Sequence, residues 1–219
     1  MTRLDIISDP ICPWCYIGKT KLDRALEANP NHDMTVEWHP FQLNPDMPAA
    51  GMDRREYLEL KFGGREGAVR VYGAIAQAAE ETGLDINFEG IDRTPSTINA
   101  HRSIHWAGLE GRQNAVVDRL FKAYFKDGQN IGDTEVLLGI ADGVGMDVEM
   151  TRTLLSGDAD RDDIQARDRN ARERGVTGVP CFVIGGHYVV QGAQPTELWE
   201  KVIKELIEGR NKANAEADA

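Results

Sequence analysis

The sequence predicts an α/β protein in which a sheet domain is interrupted by a large helical insertion. A buried-strand pattern at residues 4–11 and an alternating apolar pattern at residues 35–39 lie on either side of an amphipathic helix, an order typical of a parallel β-α-β unit. From Asp53 to about Gly157 the apolar residues recur at helical spacing. A charged helix, two strands joined by Gly185-Gly186 and a last helix complete the chain.

The elements of the first unit follow from β-branched runs, helical spacing and turn residues. Ile6 and Ile7 indicate a strand that Asp9-Pro10 ends. The next apolar residues fit one face of a helix: Ile17, Leu22 and Leu26. A second strand covers residues 35–39, and three prolines in residues 40–48 predict an extended loop after it.

The later elements are predicted from their apolar faces and the glycines that end them. Gly83 and Gly175 each follow a predicted helical segment, at the position where a glycine commonly ends a helix. Cys181–Ile184 and His187–Val190 are predicted to pair as an antiparallel hairpin. The last helix has the apolar face Leu198, Trp199, Val202, Ile203, Leu206 and Ile207.

These elements divide the 219 residues into two interleaved units. Residues 1–48 and 159–210 form the two parts of the sheet domain, and residues 49–158 form the inserted helical domain. Residues 211–219 are mostly Ala, Asn, Asp, Glu and Lys, and we predict a flexible tail.

Composition excludes several classes of protein. The net charge of −11 opposes binding to nucleic acid phosphates and to anionic membranes, so we expect neither partner. No apolar run has the length of a membrane span or a signal segment, and three cysteines do not fit a secreted disulfide framework. We therefore expect a cytoplasmic protein.

The stretch Cys12-Pro13-Trp14-Cys15 carries the chemistry of the chain. Pro13 suits the first turn of the helix, so Cys12 is predicted at the helix N-terminus and Cys15 one turn further in. Free N–H groups and the helix dipole stabilise a thiolate at that position. We expect Cys12 to attack disulfides and Cys15 to close a disulfide back onto Cys12.

Two other interpretations of the cysteine pair remain open on the sequence. Zinc usually requires four ligands, and Cys181 together with His101 and His105, which lie one helical turn apart, would have to complete such a site. The two thiols would otherwise be inert core residues. Cys181 itself, next to Pro180, is either a third redox thiol or a small buried side chain.

The order of these motifs resembles that of the FrnE-like branch of the DsbA superfamily, thiol-disulfide oxidoreductases with a thioredoxin-like fold and a large all-helical insertion. The segments that carry the resemblance are Ser8 to Gly18, Pro40 to Pro45, Arg54 to Leu58, Asn99 to Arg102 and Gly175 to Pro180. The Cys-Pro-Trp-Cys and Gly-Val-Thr-Gly-Val-Pro segments are the specific ones.

The resemblance implies a substrate-binding surface around the dithiol. It implies that Pro180 is cis, and that the backbone of Val179 pairs with an extended substrate strand. It also implies that Asn99 and His101 face the dithiol from the insertion. Phe41 is a further candidate for this pocket, because its loop leaves the second strand at the edge that carries the cysteines.

The sequence therefore predicts a protein-disulfide oxidoreductase. Its partners would be protein or peptide disulfides and dithiols, with glutathione as a candidate, in a monomer or a homodimer. No cofactor and no metal are expected. Pro13 and Trp14 would face the substrate, and because Trp14 carries no charge to favour the thiolate, we expect a more reducing couple than that of the periplasmic relatives with His there.

Two alternatives belong to other functional classes. Kappa-class glutathione transferases and 2-hydroxychromene-2-carboxylate isomerases share this architecture, but they place Ser at the position of Cys12 and lack Cys15. A non-catalytic peptide-binding or zinc-stabilised module is the third candidate; zinc bound through Cys12, Cys15 and Cys181 would identify it.

Overall fold

The computed structural model describes residues 1–217. Its strands are β1 (Thr2–Ser8), β2 (Met34–Pro40), β3 (Met52–Asp53), β4 (Arg93–Thr94), β5 (Cys181–Ile184) and β6 (Tyr188–Gln191). Its helices are α1 (Pro13–Ala28), α2 (Arg54–Phe62), α3 (Arg65–Glu81), α4 (Ile98–Leu109), α5 (Gln113–Phe125), α6 (Thr134–Gly143), α7 (Val148–Ser156), α8 (Arg161–Glu173) and α9 (Thr196–Ala217). A short 3₁₀ turn covers Phe88–Gly90.

A four-stranded sheet in the order β2-β1-β5-β6 forms the centre of the sheet domain. β1 and β2 are parallel, as the strand-helix-strand order predicts, with Ile6 opposite Trp38. β5 is antiparallel to both β1 and β6, and the hairpin turn contains Gly185 and Gly186, both with positive φ. The predicted α/β fold class is confirmed.

Helices cover both faces of this sheet. On one face α1 packs against α9, and the ring of Phe182 meets that of Trp199 edge-on at a centroid distance of 4.7 Å. The other face carries the smaller cluster of Ile7, Phe41 and Cys181, to which Ala171 of α8 contributes. Alternate residues of β5 thus enter different cores, as the two-residue period of a strand requires.

The insertion joins the sheet domain at the edge strand β2. The side chain of Gln113, the first residue of α5, accepts from the backbone N–H of Trp38 at 2.8 Å and donates to its carbonyl at 3.1 Å. The indole N–H of Trp38 donates to Asn114 at 3.1 Å. One amide side chain therefore occupies the hydrogen-bonding groups that an edge strand otherwise leaves open.

The insertion departs from the all-helical prediction in one place. Met52–Asp53 pairs antiparallel with Arg93–Thr94, so two strands of two residues each form a pair, and the first lies directly before α2. Two residues are too few to produce an alternating pattern, so no strand was predicted at either position.

The predicted C-terminal tail is also different in the structure. α9 continues to Ala217, so residues 211–217 are helical, and residues 218–219 lie outside the described part of the chain. Ala, Glu, Lys and Asn form this segment, and the first three are good helix formers that extend an existing helix without an apolar face. Within residues 1–217, no helix has the length and apolar character needed to cross a bilayer.

Candidate active site

The two cysteines of the motif begin α1. Cys12 is the N-cap residue with an extended backbone (φ −87°, ψ 114°), and Pro13 is the first helical residue. The carbonyl of Cys12 accepts from the N–H groups of Cys15 at 3.1 Å and Tyr16 at 3.3 Å. The predicted placement of Cys12 at the helix N-terminus and Cys15 one turn inside is confirmed.

The two thiols are buried, whereas Trp14, which lies between them in the sequence, is exposed. Cys12 and Cys15 are 4% and 1% exposed, whereas Trp14 is 37% exposed. Burial raises the pKa of the Cys15 thiol well above its ordinary value, and the adjacent Cys12 sulfur raises it further. Cys15 is therefore held as a thiol, which fits a sulfur that reacts second.

The segment before β5 lies directly against Cys12. The Val179–Pro180 peptide bond is cis, as the resemblance implied. The thiol of Cys12 donates to the carbonyl of Val179 across 3.5 Å. A Cβ built on Gly18, one turn after Cys15, would lie 3.1 Å from the ring of Pro180. The glycine allows α1 and the proline segment to approach this closely.

Residues 3–204 match the family model described as the DSBA-like thioredoxin domain, and so nearly the whole of this dithiol-bearing fold falls within it. The chain belongs to the DSBA-like thioredoxin domain family. YwbO of Bacillus subtilis (strain 168) is 30% identical over 204 residues, which cover 93% of this chain and 96% of YwbO.

Several solved structures share the fold of this chain. The probable DsbA oxidoreductase SCO1869 from Streptomyces coelicolor is 34% identical, with a TM-score of 0.83 over 94% of this chain and 89% of its own. The cytosolic disulfide reductase DsbM from Pseudomonas aeruginosa, solved with GSH, shares the fold at 19% identity, with a TM-score of 0.68 over 94% and 99%. A 2-hydroxychromene-2-carboxylate isomerase also shares it, at 16% identity and a TM-score of 0.71 over 96% and 98%.

Two residues expected near the dithiol of this DSBA-like chain point into the core on the other face of the sheet. Cys181 is fully buried and packs with Ile7 and Phe41, while its neighbour Phe182 packs in the core that contains Cys12. The ring of Phe41 is covered by the guanidinium of Arg172 at 4.1 Å. Burial raises the pKa of the Cys181 thiol. These placements favour packing for both side chains.

The two candidates on α4 are in different surroundings. His101 is 3% exposed, and its Nε2 lies 3.9 Å from Oδ1 of Asp9 in the loop before Cys12. Asn99 accepts a hydrogen bond from Arg102 at 2.9 Å and lines a depression with Gln42 and Pro45. The structure thus brings His101 behind the dithiol loop and leaves Asn99 in a contact within the insertion.

The thiols do not gather into a metal site. Among residues 1–217, the His, Cys, Asp or Glu side chains that come together as a group of three are Asp5, Glu37 and His39. The Nε2 of His39 is already 2.7 Å from Asp5, and Arg3 binds the same carboxylate at 3.0 Å. Cys12, Cys15 and Cys181 therefore lack the geometry that the zinc-stabilised alternative requires.

Asp9 is a site residue that the sequence alone did not reveal. Its carboxylate is fully buried and accepts from the backbone N–H groups of Leu43 at 2.7 Å and Ile11 at 3.3 Å. Its backbone carbonyl accepts from the N–H of Cys12 at 2.9 Å. Burial raises the pKa of Asp9 to about 7. In the sequence, Asp9-Pro10 indicates only a turn. Asp9 lies three residues before a cysteine that is predicted to be reactive, and this position could have identified it as a site residue.

Two polar side chains of α2, Tyr57 and Lys61, contact the loop that follows β2. Lys61 and Tyr57 both donate to the amide oxygen of Asn44, at 2.9 Å and 3.1 Å. Burial lowers the pKa of Lys61, while the charges of Asp9 and Cys12 act in the opposite direction. Their spacing of four residues placed Tyr57 and Lys61 on one helix face, but nothing in the sequence pointed that face at the dithiol.

Proposed function

We propose that this protein is a protein-disulfide oxidoreductase of the FrnE-like type that acts through the Cys12–Cys15 dithiol. The observation that carries the proposal is the position of Cys12. It caps α1, it contacts the carbonyl of Val179 across 3.5 Å, and Cys15 follows one turn later. The likeness to SCO1869, at 34% identity over 94% of the chain, supports it.

The reaction is a pair of thiol-disulfide exchanges. The Cys12 thiolate attacks a substrate disulfide, forms a mixed disulfide with one substrate sulfur and releases the other as a thiolate. Cys15 then loses its proton and attacks the sulfur of Cys12. The Cys12–Cys15 disulfide forms, the mixed disulfide breaks, and the second substrate sulfur leaves as a thiolate. Two electrons pass to the substrate, and an external thiol such as glutathione restores the dithiol.

The substrate is a disulfide in an extended segment. Trp14 offers an exposed aromatic surface beside Cys12, and the half-buried Val179 offers its backbone on the other side. An extended peptide that pairs with the backbone of Val179 would place its disulfide against Cys12. Pro13 and Pro180 are both buried, and they lie beneath the surface that Trp14 and Val179 form.

We assign the reducing direction and a cytoplasmic location to this activity. Trp14 has no ionisable group with which to stabilise the Cys12 thiolate, so the dithiol form is not strongly favoured over the disulfide. DsbM, named a cytosolic disulfide reductase and solved with GSH, shares this fold, and that likeness supports the assignment.

The proposal is tested by insulin reduction and by reactivation of scrambled ribonuclease, with glutathione as the electron source. Wild type is expected to accelerate both reactions, and Cys12→Ser is expected to abolish the acceleration. Cys181→Ser is the matched control: it removes a thiol from the other face of the sheet and should keep the wild-type rate.

Equal rates for Cys12→Ser and wild type would contradict the proposal. Glutathione-dependent conversion of a small ligand that persists in the Cys12→Ser variant would instead support the transferase or isomerase alternative.

A further inference from the structure

A groove lies on the face of the sheet that points away from the dithiol, and the exchange reaction described above does not use it. A cavity of about 730 Å³ is enclosed there between α8 and the strands β1, β5 and β6. Its apolar walls come from Ile7, Val183 and Val189 on the sheet and from Ala166 and Ala171 on α8. This volume and this lining are typical of sites that bind small molecules.

The polar residues of the groove carry an excess of positive charge. Arg3, Arg167 and Arg174 line it, and Asp5 is the single carboxylate among its lining residues in the described part of the chain. Arg3 and His39 both bond that carboxylate, at 3.0 Å and 2.7 Å, so its charge is already compensated. The two arginines of α8 therefore create a local positive field on a chain whose net charge is −11. Such a field favours an anionic ligand.

Arg167 is held in place by two histidines. Its terminal nitrogens lie 3.2 Å from Nδ1 of His105 and 3.3 Å from Nδ1 of His39. Because a guanidinium only donates hydrogen bonds, both imidazoles accept. The carboxylate of Asp163 is 3.9 Å from the guanidinium, which is beyond hydrogen-bond distance. Arg167 is thus fixed in position by acceptors that do not neutralise its charge, and it keeps further N–H groups with which to bind an anion.

Three polar side chains of α8 line the groove from one face of the helix. Arg167, Asn170 and Arg174 have the spacing i, i+3 and i+7, and they extend over about 10 Å of the helix axis. Two guanidinium groups therefore flank an amide, and guanidinium groups bind carboxylates through paired hydrogen bonds. Val183 and Val189, which are directly opposite each other in β5 and β6, form the apolar wall across the groove. A ligand that matches both parts has one anionic group and an apolar body.

We propose that this groove is a binding site for an apolar carboxylic acid. The carboxylate binds Arg167, Asn170 and Arg174, and the apolar body of the acid lies on Val183 and Val189. A small inorganic anion would contact the arginines and leave the apolar wall in water, so the apolar acid is the better match. Because the groove and the dithiol are on different faces of the sheet, a bound acid leaves the exchange site open.

The experiment measures the binding of decanoate to the full chain by calorimetry and by the shifts of backbone amide signals in NMR spectra. Acetate supplies the carboxylate without the apolar body, and decanol supplies the apolar body without the charge. Decanoate should bind at least about tenfold more tightly than either, and it should shift the amide signals of Asn170, Val183 and Val189. No disulfide takes part in this measurement, so its result is independent of the proposed exchange activity.

The arginines are tested with variants that remove one charge each. Arg167→Gln and Arg174→Gln should each weaken decanoate binding by about tenfold and leave decanol binding unchanged, because a charged hydrogen bond is lost. Arg169→Gln is the matched control: it removes the same charge from an exposed position of α8 outside the groove and should bind decanoate as wild type does.

The apolar wall is tested with a matched pair on β6. Val189→Asp places a carboxylate inside the groove and should abolish decanoate binding, whereas Tyr188→Asp places the same charge on the other side of the strand and should preserve it. Both positions are exposed, so both variants are expected to fold.

The proposal is overturned if decanoate binds no better than acetate and decanol. It is also overturned if Arg167→Gln and Arg174→Gln bind decanoate as tightly as Arg169→Gln, or if the shifted amide signals cluster around Trp14 and Val179 and leave those of the groove unchanged.

Discussion

The chemistry of the site depends on residues that differ from one another mainly in burial. Cys12 and Cys15 share a helix end, but Cys15 is 1% exposed and next to a second sulfur, so its thiol form is favoured. Asp9 and His101 are shielded from water together, and burial moves their pKa values in opposite directions. Each of these residues sits in an environment built by segments far away in the chain.

The opposite pKa shifts of Asp9 and His101 predict how the stability of the folded protein depends on pH. Because the folded-state pKa of Asp9 is raised from 3.8 to about 7, folded Asp9 binds the extra proton, and its contribution to stability falls as the pH rises through that window. Because the pKa of His101 is lowered from 6.5 to about 4, its contribution rises between pH 4 and 6.5. The two slopes nearly cancel in wild type.

Asp9→Asn removes one of the two slopes. The free energy of unfolding of this variant, measured relative to wild type by urea denaturation, should increase by about 1.4 kcal/mol per pH unit between pH 4 and 7. A difference that does not change over this range would mean that Asp9 is ionised in the folded protein at acidic pH.

Cys181 gives a second prediction at the level of single residues. It is fully buried among Ile7 and Phe41, on the face of the sheet opposite the core that contains Cys12. We expect iodoacetamide, added to the reduced native protein at pH 6, to label Cys12 first and to leave Cys181 unlabelled until the protein is denatured. Mass spectrometry of tryptic peptides measures the order. Labelling of Cys181 at the rate of Cys12 would contradict the placement.

The sequence could identify some of these residues and not others, for a physical reason. Cys12, Pro13 and Cys15 are positioned by local geometry, since a proline in the first helical turn and a spacing of three residues act within one segment. The face on which Cys181 lies depends on the register of β5 against β1, in which Cys181 is opposite Ile7. Register is a property of the assembled sheet.

Among the elements, the contact of α1 with the segment around Pro180 fixes the geometry of the site. A methyl group on Gly18 would lie 3.1 Å from the ring of Pro180 and 3.3 Å from the Cα of Ala193. The first neighbour belongs to the cis proline before β5, and the second belongs to the backbone of the segment that follows β6. The glycine is therefore required by close approach rather than by its backbone conformation.

Gly18→Ala should destabilise the protein by about 1–3 kcal/mol and slow disulfide exchange, because α1 and Cys12 are displaced from Val179. Gly139→Ala in α6 is the matched control: nothing lies within 4 Å of the added methyl group, and helix propensity favours alanine by up to about 1 kcal/mol. Thermal unfolding and the insulin assay measure both variants. A Gly18→Ala protein as stable and active as wild type would show that this contact is not tight.

For elements, prediction from the sequence was most successful where a periodic pattern was long. The helices of the insertion and the β5–β6 hairpin follow from apolar spacing and from the paired glycines. β3 and β4 were missed because each has two residues, and their pairing depends on Met52 and Thr94 being brought together by the helices between them.

For the molecule as a whole, buried hydrogen bonds join the parts of the insertion. Arg102 of α4 is fully buried, and its guanidinium donates to the carbonyls of Leu154, Gly157 and Ala159 at 2.6–2.8 Å. It also donates to Asn99 at 2.9 Å. These bonds tie α4, and so His101, to the connection between α7 and α8.

Arg102→Lys should therefore destabilise the protein by about 2–4 kcal/mol, since one ammonium group cannot satisfy acceptors arranged for a planar guanidinium. Chemical denaturation measures the loss. The rate of insulin reduction by the folded fraction should stay near that of wild type, because no cysteine is touched. A variant of unchanged stability would show that these carbonyls are satisfied by other means.

The fold of the whole molecule could be predicted because the motifs at its two ends are specific and their order is informative. Cys12-Pro13-Trp14-Cys15 near one end and Val179-Pro180 near the other meet across 3.5 Å, although 167 residues separate Cys12 from Val179. The roles of Asn99, His101 and Phe41 could not be derived in the same way, since they depend on how the insertion packs on the sheet.

The central claim is that Cys12 is the sulfur that attacks and Cys15 the sulfur that resolves. The most direct test is to trap the intermediate with oxidised glutathione and measure the intact mass of each variant under native conditions. Cys15→Ser is expected to accumulate one glutathione on Cys12, because no second thiol releases it, and Cys12→Ser is expected to accumulate none. Glutathione bound to Cys15 in the Cys12→Ser protein, at the rate seen for Cys12, would contradict the account.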